Sequence, residues 1–199
     1  MRNIYYKALL SAILLLSSVS ALAYDFSVDG ICYNILSSST CEVTYAYGKL
    51  SYVSGVKIPS YVTYGGQKYE VIRIGNRAFR GGSKPVYEVI IPNSVTEIGE
   101  KAFFNCRSLE IVTLSNSLTR LESSLFEGCH ELSKITIPNS VTETGWYVFK
   151  NCNDLKYVTL SNSMTNIGLG MFDGCSDLLS ITIPNSVTEI GKEAFSSCI

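Results

Sequence analysis

The chain has 199 residues, of which 46% are hydrophobic, and its 16 basic and 17 acidic side chains give a formal net charge of -1. This balance, without a run of like charges, gives no electrostatic reason to expect nucleic acid or an anionic membrane as a partner. The length suffices for one domain of ordinary size with a continuous core.

The first 23 residues have the pattern of an export signal. Arg2 and Lys7 supply positive charge, residues 8–19 are predominantly apolar, and Ala21 and Ala23 make a small-residue cleavage site. The apolar run is about a dozen residues, shorter than the roughly 20 of a membrane-spanning helix. We therefore predict cleavage near Ala23 and a mature chain without a membrane span, which is secreted, on the cell surface or in the periplasm. The alternative is an uncleaved N-terminal anchor.

Residues 24–67 are rich in tyrosine and do not follow the repeat that organises the rest of the chain. Gly65-Gly66 separates two β-rich segments, and paired glycines favour a two-residue hairpin turn because they tolerate positive φ. We interpret this region as a β-rich N-terminal cap, because the open end of a stacked array exposes core side chains and strand edges. A carbohydrate-binding platform of tyrosines such as Tyr61 and Tyr64 is the alternative.

Two cysteines, Cys32 and Cys41, lie in this N-terminal region. In an exported protein they could close a short loop through a disulfide that stabilises the fold by roughly 2 to 3 kcal/mol. The sequence leaves the disulfide and the reduced pair equally open.

Residues 68–199 form a repeat array with a period of 23 residues. An Ile-Pro-Asn-Ser-Val-Thr motif begins at Ile91, Ile137 and Ile183, and a related Leu-Ser-Asn-Ser motif begins at Leu114 and Leu160. The two versions alternate, so the genetic unit is a duplicated pair. We count about six units, the last incomplete, which must stack into a solenoid because one unit alone cannot bury its apolar side chains.

Each unit predicts one short strand and one short helical segment. Apolar and polar residues alternate across residues 111–114, which is typical of a strand, and each unit would add one strand to a parallel sheet. Residues 99–106 have about two turns of helical potential. The phenylalanines at one register would stack in a buried column, and they are Phe103, Phe126, Phe149, Phe172 and Phe195.

The repeat resembles the BspA-like, or Treponema-type, branch of leucine-rich repeats. The pattern Ile-Pro-x-x-Val-x-x-Ile-Gly-x-x-Ala-Phe-x-x-Cys is matched in residues 91–106 and again in residues 183–198. Departures are mild: Ser115 and Ser161 replace proline, and Thr144 replaces isoleucine. The resemblance implies a leucine-rich-repeat solenoid that is secreted or surface-exposed, has no shared catalytic residues, and belongs to a family with members that adhere to host proteins or other bacteria.

Five cysteines recur at one position of the repeat, namely Cys106, Cys129, Cys152, Cys175 and Cys198. We interpret them as a buried, reduced structural ladder, because cysteine behaves as a small apolar residue at such positions. Stacked copies would lie about 5 Å apart, but their side chains would point the same way, which does not suit a disulfide. Disulfides between coils and metal binding are the alternatives.

The side chains that alternate outward from the predicted strands form two columns. One is largely threonine, which β propensity explains. The other changes chemistry from unit to unit and is our predicted ligand-binding face, with Glu88, Ile111, Lys134, Tyr157 and Ser180. Such variation inside a strict repeat is expected of a tailored binding face, although unconstrained surface drift gives the same pattern.

We expect no catalysis, cofactor or metal. His130 is the only histidine, and the repeat spacing brings it no partners for a catalytic triad or a zinc site. We predict instead an adhesion or binding module for a host or bacterial surface protein, with carbohydrate as an alternative ligand. The rival hypothesis is a truncated or structural repeat cassette without a dedicated ligand, whose open C-terminal end could self-associate.

Overall fold

The computed structural model describes residues 24–45, 55–81 and 85–198. The predicted signal peptide lies outside these residues. Within them the chain forms fifteen short strands and no helix. In chain order the strands are β1 (Phe26–Val28), β2 (Ile31–Ile35), β3 (Thr40–Thr44), β4 (Gly55–Lys57), β5 (Tyr61–Tyr64), β6 (Gln67–Ile74), β7 (Glu88–Ile90), β8 (Glu97–Ile98), β9 (Ile111–Thr113), β10 (Arg120–Leu121), β11 (Lys134–Thr136), β12 (Glu143–Thr144), β13 (Tyr157–Thr159), β14 (Asn166–Ile167) and β15 (Glu189–Ile190). The described ranges contain no helix that is long and apolar enough to span a bilayer.

An N-terminal sheet precedes the repeats. Its strands are hydrogen-bonded in the order β1, β2, β3, β6 and β5, and β8 pairs with the end of β6. β5 and β6 form the hairpin predicted at Gly65-Gly66, whose φ angles are 59° and 81°. The ring of Phe26 is buried and stacks on Tyr33 and Tyr64, with centroid distances of 5.2 and 4.5 Å. Because β6 also pairs with β8, the N-terminal sheet continues directly into the repeat array.

A parallel sheet, which we call the face sheet, runs along one side of the array. It contains β4, β7 and β9, followed by β11 and β13, and β9 contacts β11. The register joins equivalent residues of successive repeats, as in Glu88↔Ile111 and Lys134↔Tyr157, and Ser180 continues it through a bridge to Tyr157. The parallel strands predicted from the alternation of apolar residues are therefore confirmed.

The face sheet begins earlier than the sequence predicted. β4 lies in the region interpreted as the cap, yet it pairs in parallel with β7. Ile58-Pro59 follows β4 as Ile91-Pro92 follows β7, and the longer spacing between these two pairs hides the relationship from a search at a period of 23. The boundary predicted between residues 67 and 68 lies within β6.

A second series of strands, which we call the second ladder, consists of two-residue strands in the other arm of each coil. β10 pairs with β12 and β14 pairs with β15, all in parallel. The inward residues of this ladder, such as Ile98 and Leu121, are buried. Each coil therefore closes its core between the face sheet and the second ladder.

The helical segment predicted for residues 99–106 is wrong, since the chain forms consecutive turns there. Phe104 and Cys106 donate backbone hydrogen bonds three residues back, whereas Lys101, Phe103 and Asn105 donate theirs to carbonyls of the next coil at 2.8 to 3.2 Å. Lys101 and Asn105 have φ angles of 58° and 56°, outside the helical region. Because every second N–H leaves the segment, no run of i to i-4 hydrogen bonds can form.

A column of phenylalanine rings fills the core. Successive rings are stacked at centroid distances of 5.1 to 5.5 Å, through Phe79, Phe103, Phe126, Phe149, Phe172 and Phe195. Burial of each ring is worth roughly 2 to 3 kcal/mol. Since every ring except those at the ends contacts one above and one below, the column ties the coils into one continuous core.

Successive coils fit each other in alternation. At one register the residues are Asn105, Gly128, Asn151 and Gly174. A Cβ placed on Gly128 would overlap the amide oxygen of Asn105, and one on Gly174 would overlap that of Asn151. Each asparagine therefore fills the space that the glycine of the following coil leaves open.

Candidate binding face

The five predicted ligand-binding residues lie in one column on the outer surface of the face sheet, and we call this column the strip. Its members are Glu88, Ile111, Lys134, Tyr157 and Ser180. Ile111 is 41% exposed and Tyr157 is 62% exposed. The strip follows from strand geometry, because the intervening residues turn inward to the core and successive side chains of a strand point to opposite faces.

A depression without acidic residues, which we call the threonine-side depression, borders the strip on the side of the threonine column. It has a volume of about 560 Å³, and its outer walls carry Thr113, Thr136, Thr159 and Asn116 beside the side chains of the strip. Lys134 is its one charged lining residue. This side offers hydroxyl and amide groups for hydrogen bonds but no carboxylate.

An acidic depression borders the strip on the opposite side. Its volume is about 720 Å³, and it places Glu110, Glu131 and Asp154 beside Ile111, Lys134 and Tyr157. All six of these side chains are exposed. The described ion pairs do not include any of its three carboxylates or Lys134. The depression therefore presents three carboxylates against one ammonium group.

These three carboxylates are not among the site residues predicted from the sequence. Glu110 directly precedes a strand, while Glu131 and Asp154 lie in turns one repeat apart. Strand alternation does not predict which way the side chains at such positions point, because they lie outside the strands. The recurrence of an acidic residue at 131, 154 and 177 was the available signal.

The five repeat cysteines form a column within hydrogen-bonding distance of the backbone. The thiol of Cys129 donates to the carbonyl oxygen of Phe103 at 3.2 Å, and those of Cys106, Cys152, Cys175 and Cys198 make the equivalent bond to the phenylalanine of the preceding coil at 2.8 to 3.2 Å. Burial raises the pKa of the Cys106 thiol to about 12. These cysteines are thiols, with no disulfide between coils.

The disulfide considered between Cys32 and Cys41 does not suit the structure. Cys32 lies opposite Thr44, whereas Cys41 lies opposite Ile35 on the same strand pair. The two cysteines are therefore three positions apart along the strands, and side chains an odd number of positions apart point to opposite faces. This separation exceeds the Cα distance that a disulfide spans.

Nothing in the described ranges resembles a metal centre: they hold no group of three or more His, Cys, Asp or Glu side chains that could bind an ion. His130 lies in the turn before β11, where its backbone carbonyl accepts a hydrogen bond from the N–H of Asp154. The strip itself carries charged, apolar, aromatic and hydrogen-bonding side chains.

Comparison with known proteins relates this chain to bacterial leucine-rich repeat proteins. The model of the BspA type leucine rich repeat region matches residues 72–199 in six copies. A search of curated protein sequences finds no significant match. Among solved structures, a leucine-rich repeat protein from Bacteroides ovatus is similar, with 37% identity and a TM-score of 0.68 over 88% of this chain and 51% of that one.

Two further solved structures share the fold. A leucine rich cell surface protein from Faecalibacterium prausnitzii has 32% identity and a TM-score of 0.65, over 87% of this chain and 52% of that chain. The pneumococcal vaccine antigen PcpA has 22% identity and a TM-score of 0.69, over 86% of this chain and 47% of that one, and this likeness concerns the fold alone. The chain spans about half the length of these structures.

Proposed function

Because this chain belongs to the BspA-type leucine-rich repeat family, we propose that it is an exported bacterial protein that binds another protein through the strip and catalyses no reaction. The observation that carries the proposal is the contrast between two neighbouring columns. The strip changes from acidic to apolar, basic, aromatic and small polar along successive coils, while the adjacent column repeats threonine. A surface selected for recognition needs such a specific series of groups.

The mechanism is rigid display. The strip lies on strands whose inward side chains, such as Val112 and Ile135, are buried in the continuous core. Backbone hydrogen bonds between coils fix the spacing of successive side chains. A preorganised surface loses little conformational entropy on binding, which favours affinity.

Export and capping belong to the same proposal. Residues 1–23 direct secretion, and the mature chain acts outside the cell or in the envelope, which accords with the surface location of the Faecalibacterium relative. The N-terminal sheet caps the array, since β6 pairs with β8 and the N–H of Gly75 donates to Val43 at 2.8 Å. This arrangement covers strand edges that would otherwise be open to unwanted pairing.

The test uses purified protein and a panel of purified host matrix proteins and bacterial surface proteins. The double variant Lys134→Ser/Tyr157→Ser removes the two most prominent groups of the strip. The matched control is Trp146→Ser/Lys192→Ser, which also removes one exposed aromatic ring and one lysine. These two residues follow β12 and β15 of the second ladder and do not belong to the strip. Trp146 and Tyr157 are both 62% exposed, so the two variants alter similar amounts of surface.

We expect at least one member of the panel to bind the unaltered chain and the control, and to lose binding to the strip variant. Equal binding of the strip variant would assign recognition to another surface. If a folded chain captures no member of the panel, the structural-cassette hypothesis is favoured over the proposed function. Cooperative unfolding of all three proteins, followed by circular dichroism, shows that the comparison concerns folded molecules.

A further inference from the structure

The exposed apolar part of the face sheet has an acidic edge, and this combination defines the chemistry of an occupant. We infer that the sheet face between Ile111 and Tyr157 docks an extended, arginine-bearing segment of the partner protein, with an arginine side chain over Tyr157 and against Glu131 and Asp154. This inference rests on the proposed function, because it names the partner chemistry for the same strip.

Charge complementarity is the first argument. Elsewhere on the solenoid, several acidic side chains have basic partners within the chain: Arg120 lies 3.1 Å from Glu122, and Lys150 lies 2.8 Å from Asp173. In the acidic depression the described residues provide no such partner for Glu110, Glu131 or Asp154. A cation supplied by another molecule would relieve the mutual repulsion of these carboxylates.

The exposed aromatic ring is the second argument. Cations of this chain already lie over other rings: Lys68 Nζ is 4.0 Å from the ring centroid of Tyr61, and Lys150 Nζ is 4.8 Å from that of Tyr147. The described cation–π pairs leave out Tyr157, whose ring borders the acidic depression. A guanidinium group can stack on a ring and bind carboxylates at its edge at once, so arginine suits this position better than lysine.

The position of Lys134 determines where the cation enters. Lys134 lines both depressions, and on the threonine side it is the sole charged group. A second cation is therefore repelled from the threonine-side depression and is favoured only on the side where three carboxylates outnumber the ammonium group. Ile111 supplies an apolar contact two coils from Tyr157, so an apolar residue near the arginine completes the match.

An extended segment fits the dimensions. Ile111, Lys134 and Tyr157 belong to three successive coils, which lie about 4.8 Å apart in a sheet. Alternate side chains of an extended peptide are about 6.6 Å apart and point to one side, so two or three of them reach across this distance. The depression is open at its rim, which suits a chain lying across the surface.

The experiment titrates isotope-labelled protein with short peptides and follows backbone amide signals by NMR. The probe is the peptide Ser-Val-Ser-Arg-Ser-Arg-Ser with blocked ends, compared with its citrulline analogue, which keeps the shape of arginine but not its charge. We expect the arginine peptide to shift the signals of Ile111, Lys134 and Tyr157, and to bind at least about tenfold more tightly than the citrulline peptide.

Two protein variants locate the contact. Glu131→Gln/Asp154→Asn removes two charges from the depression with little change of shape, and we expect it to weaken the arginine peptide by about tenfold or more. Glu100→Gln/Glu189→Gln removes the same charge away from the strip, so binding should be retained. Equal binding of the two peptides, no detectable shift at millimolar peptide, or equal loss in both variants would each overturn the inference.

The outcomes separate this inference from the proposed function. If a partner protein loses binding to Lys134→Ser/Tyr157→Ser but keeps it with Glu131→Gln/Asp154→Asn, the strip binds a partner whose chemistry is not cationic. If both variants abolish binding and the arginine peptide competes with the partner, both statements hold.

Discussion

The thiol of Cys129 donates a hydrogen bond to the backbone carbonyl oxygen of Phe103 in the preceding coil, at 3.2 Å. Both residues are fully buried, so water cannot replace the donor if the thiol is removed. The cysteine therefore has two roles in the core, since it fills apolar space and donates a second hydrogen bond to a carbonyl that already accepts the backbone N–H of Cys106 at 3.1 Å.

The variant Cys129→Ala tests this role. Loss of the donor and of the sulfur volume should lower the free energy of unfolding by about 2 kcal/mol. Cys198→Ala is the matched control, because the same bond at that position is only partly buried, and its cost should be smaller. Equal costs in urea-induced unfolding would show that burial of the hydrogen bond contributes nothing.

The buried thiols should make the protein less stable at high pH. Burial raises the pKa of Cys106 and Cys175 from 9.0 to about 12, so the unfolded chain loses these protons first. The contribution is fully present below about pH 9 and is lost as the pH rises toward 12, at about 1.4 kcal/mol per pH unit for each thiol. Equilibrium unfolding between pH 7 and 11 measures the slope. A Cys106→Ala/Cys175→Ala variant should show a shallower decline, and an unchanged slope would contradict the assignment to these thiols.

Truncation of a central phenylalanine should be costly. Phe126 is fully buried and stacks between Phe103 and Phe149 at 5.3 and 5.5 Å, so Phe126→Ala should lower the free energy of unfolding by about 3 to 5 kcal/mol. Phe195 is partly buried and stacks on Phe172, and Phe195→Ala should cost less. Thermal unfolding followed by Trp146 fluorescence compares them, and the reverse order would show that the column does not carry the core.

The fit between Asn105 and Gly128 can be tested as an energetic coupling. Gly128 has a φ of 76°, so Gly128→Ala introduces backbone strain of about 1 kcal/mol as well as overlap with the Asn105 side chain. In the double variant Asn105→Gly/Gly128→Ala the overlap disappears and the strain persists. We therefore expect a cost smaller than the sum of the two single costs, measured as a double-mutant cycle. Strict additivity would mean that the two residues do not interact.

Much of the architecture could be predicted from the sequence because its signals are local or strictly periodic. The alternation around Val112 predicts a strand, Gly65-Gly66 predicts the hairpin, and the recurrence of the Ile-Pro motif predicts stacked coils. The predicted family is confirmed by the match over residues 72–199. The strip could also be located, since strand alternation places Lys134 and Tyr157 on one face.

The remaining features depend on contacts between coils, which a single repeat does not reveal. Residues 99–106 have adequate helix propensity, but the N–H of Phe103 pairs with Leu125 of the next coil instead of with its own segment. The two-residue strands of the second ladder are too short to show a period. Glu110 and Asp154, distant in sequence, meet beside one depression only when the coils are stacked.

Because asparagine and glycine alternate at this register, the array is built from two kinds of coil that follow each other in turn. A coil with asparagine at this register packs against a following coil with glycine, so a deletion or insertion of one coil within residues 105–174 would bring two asparagines or two glycines together. Removal or addition of two coils keeps every junction intact. A change in the number of coils should therefore occur in steps of 46 residues, twice the 23-residue spacing of the motifs, and each step would add or remove two places on the strip.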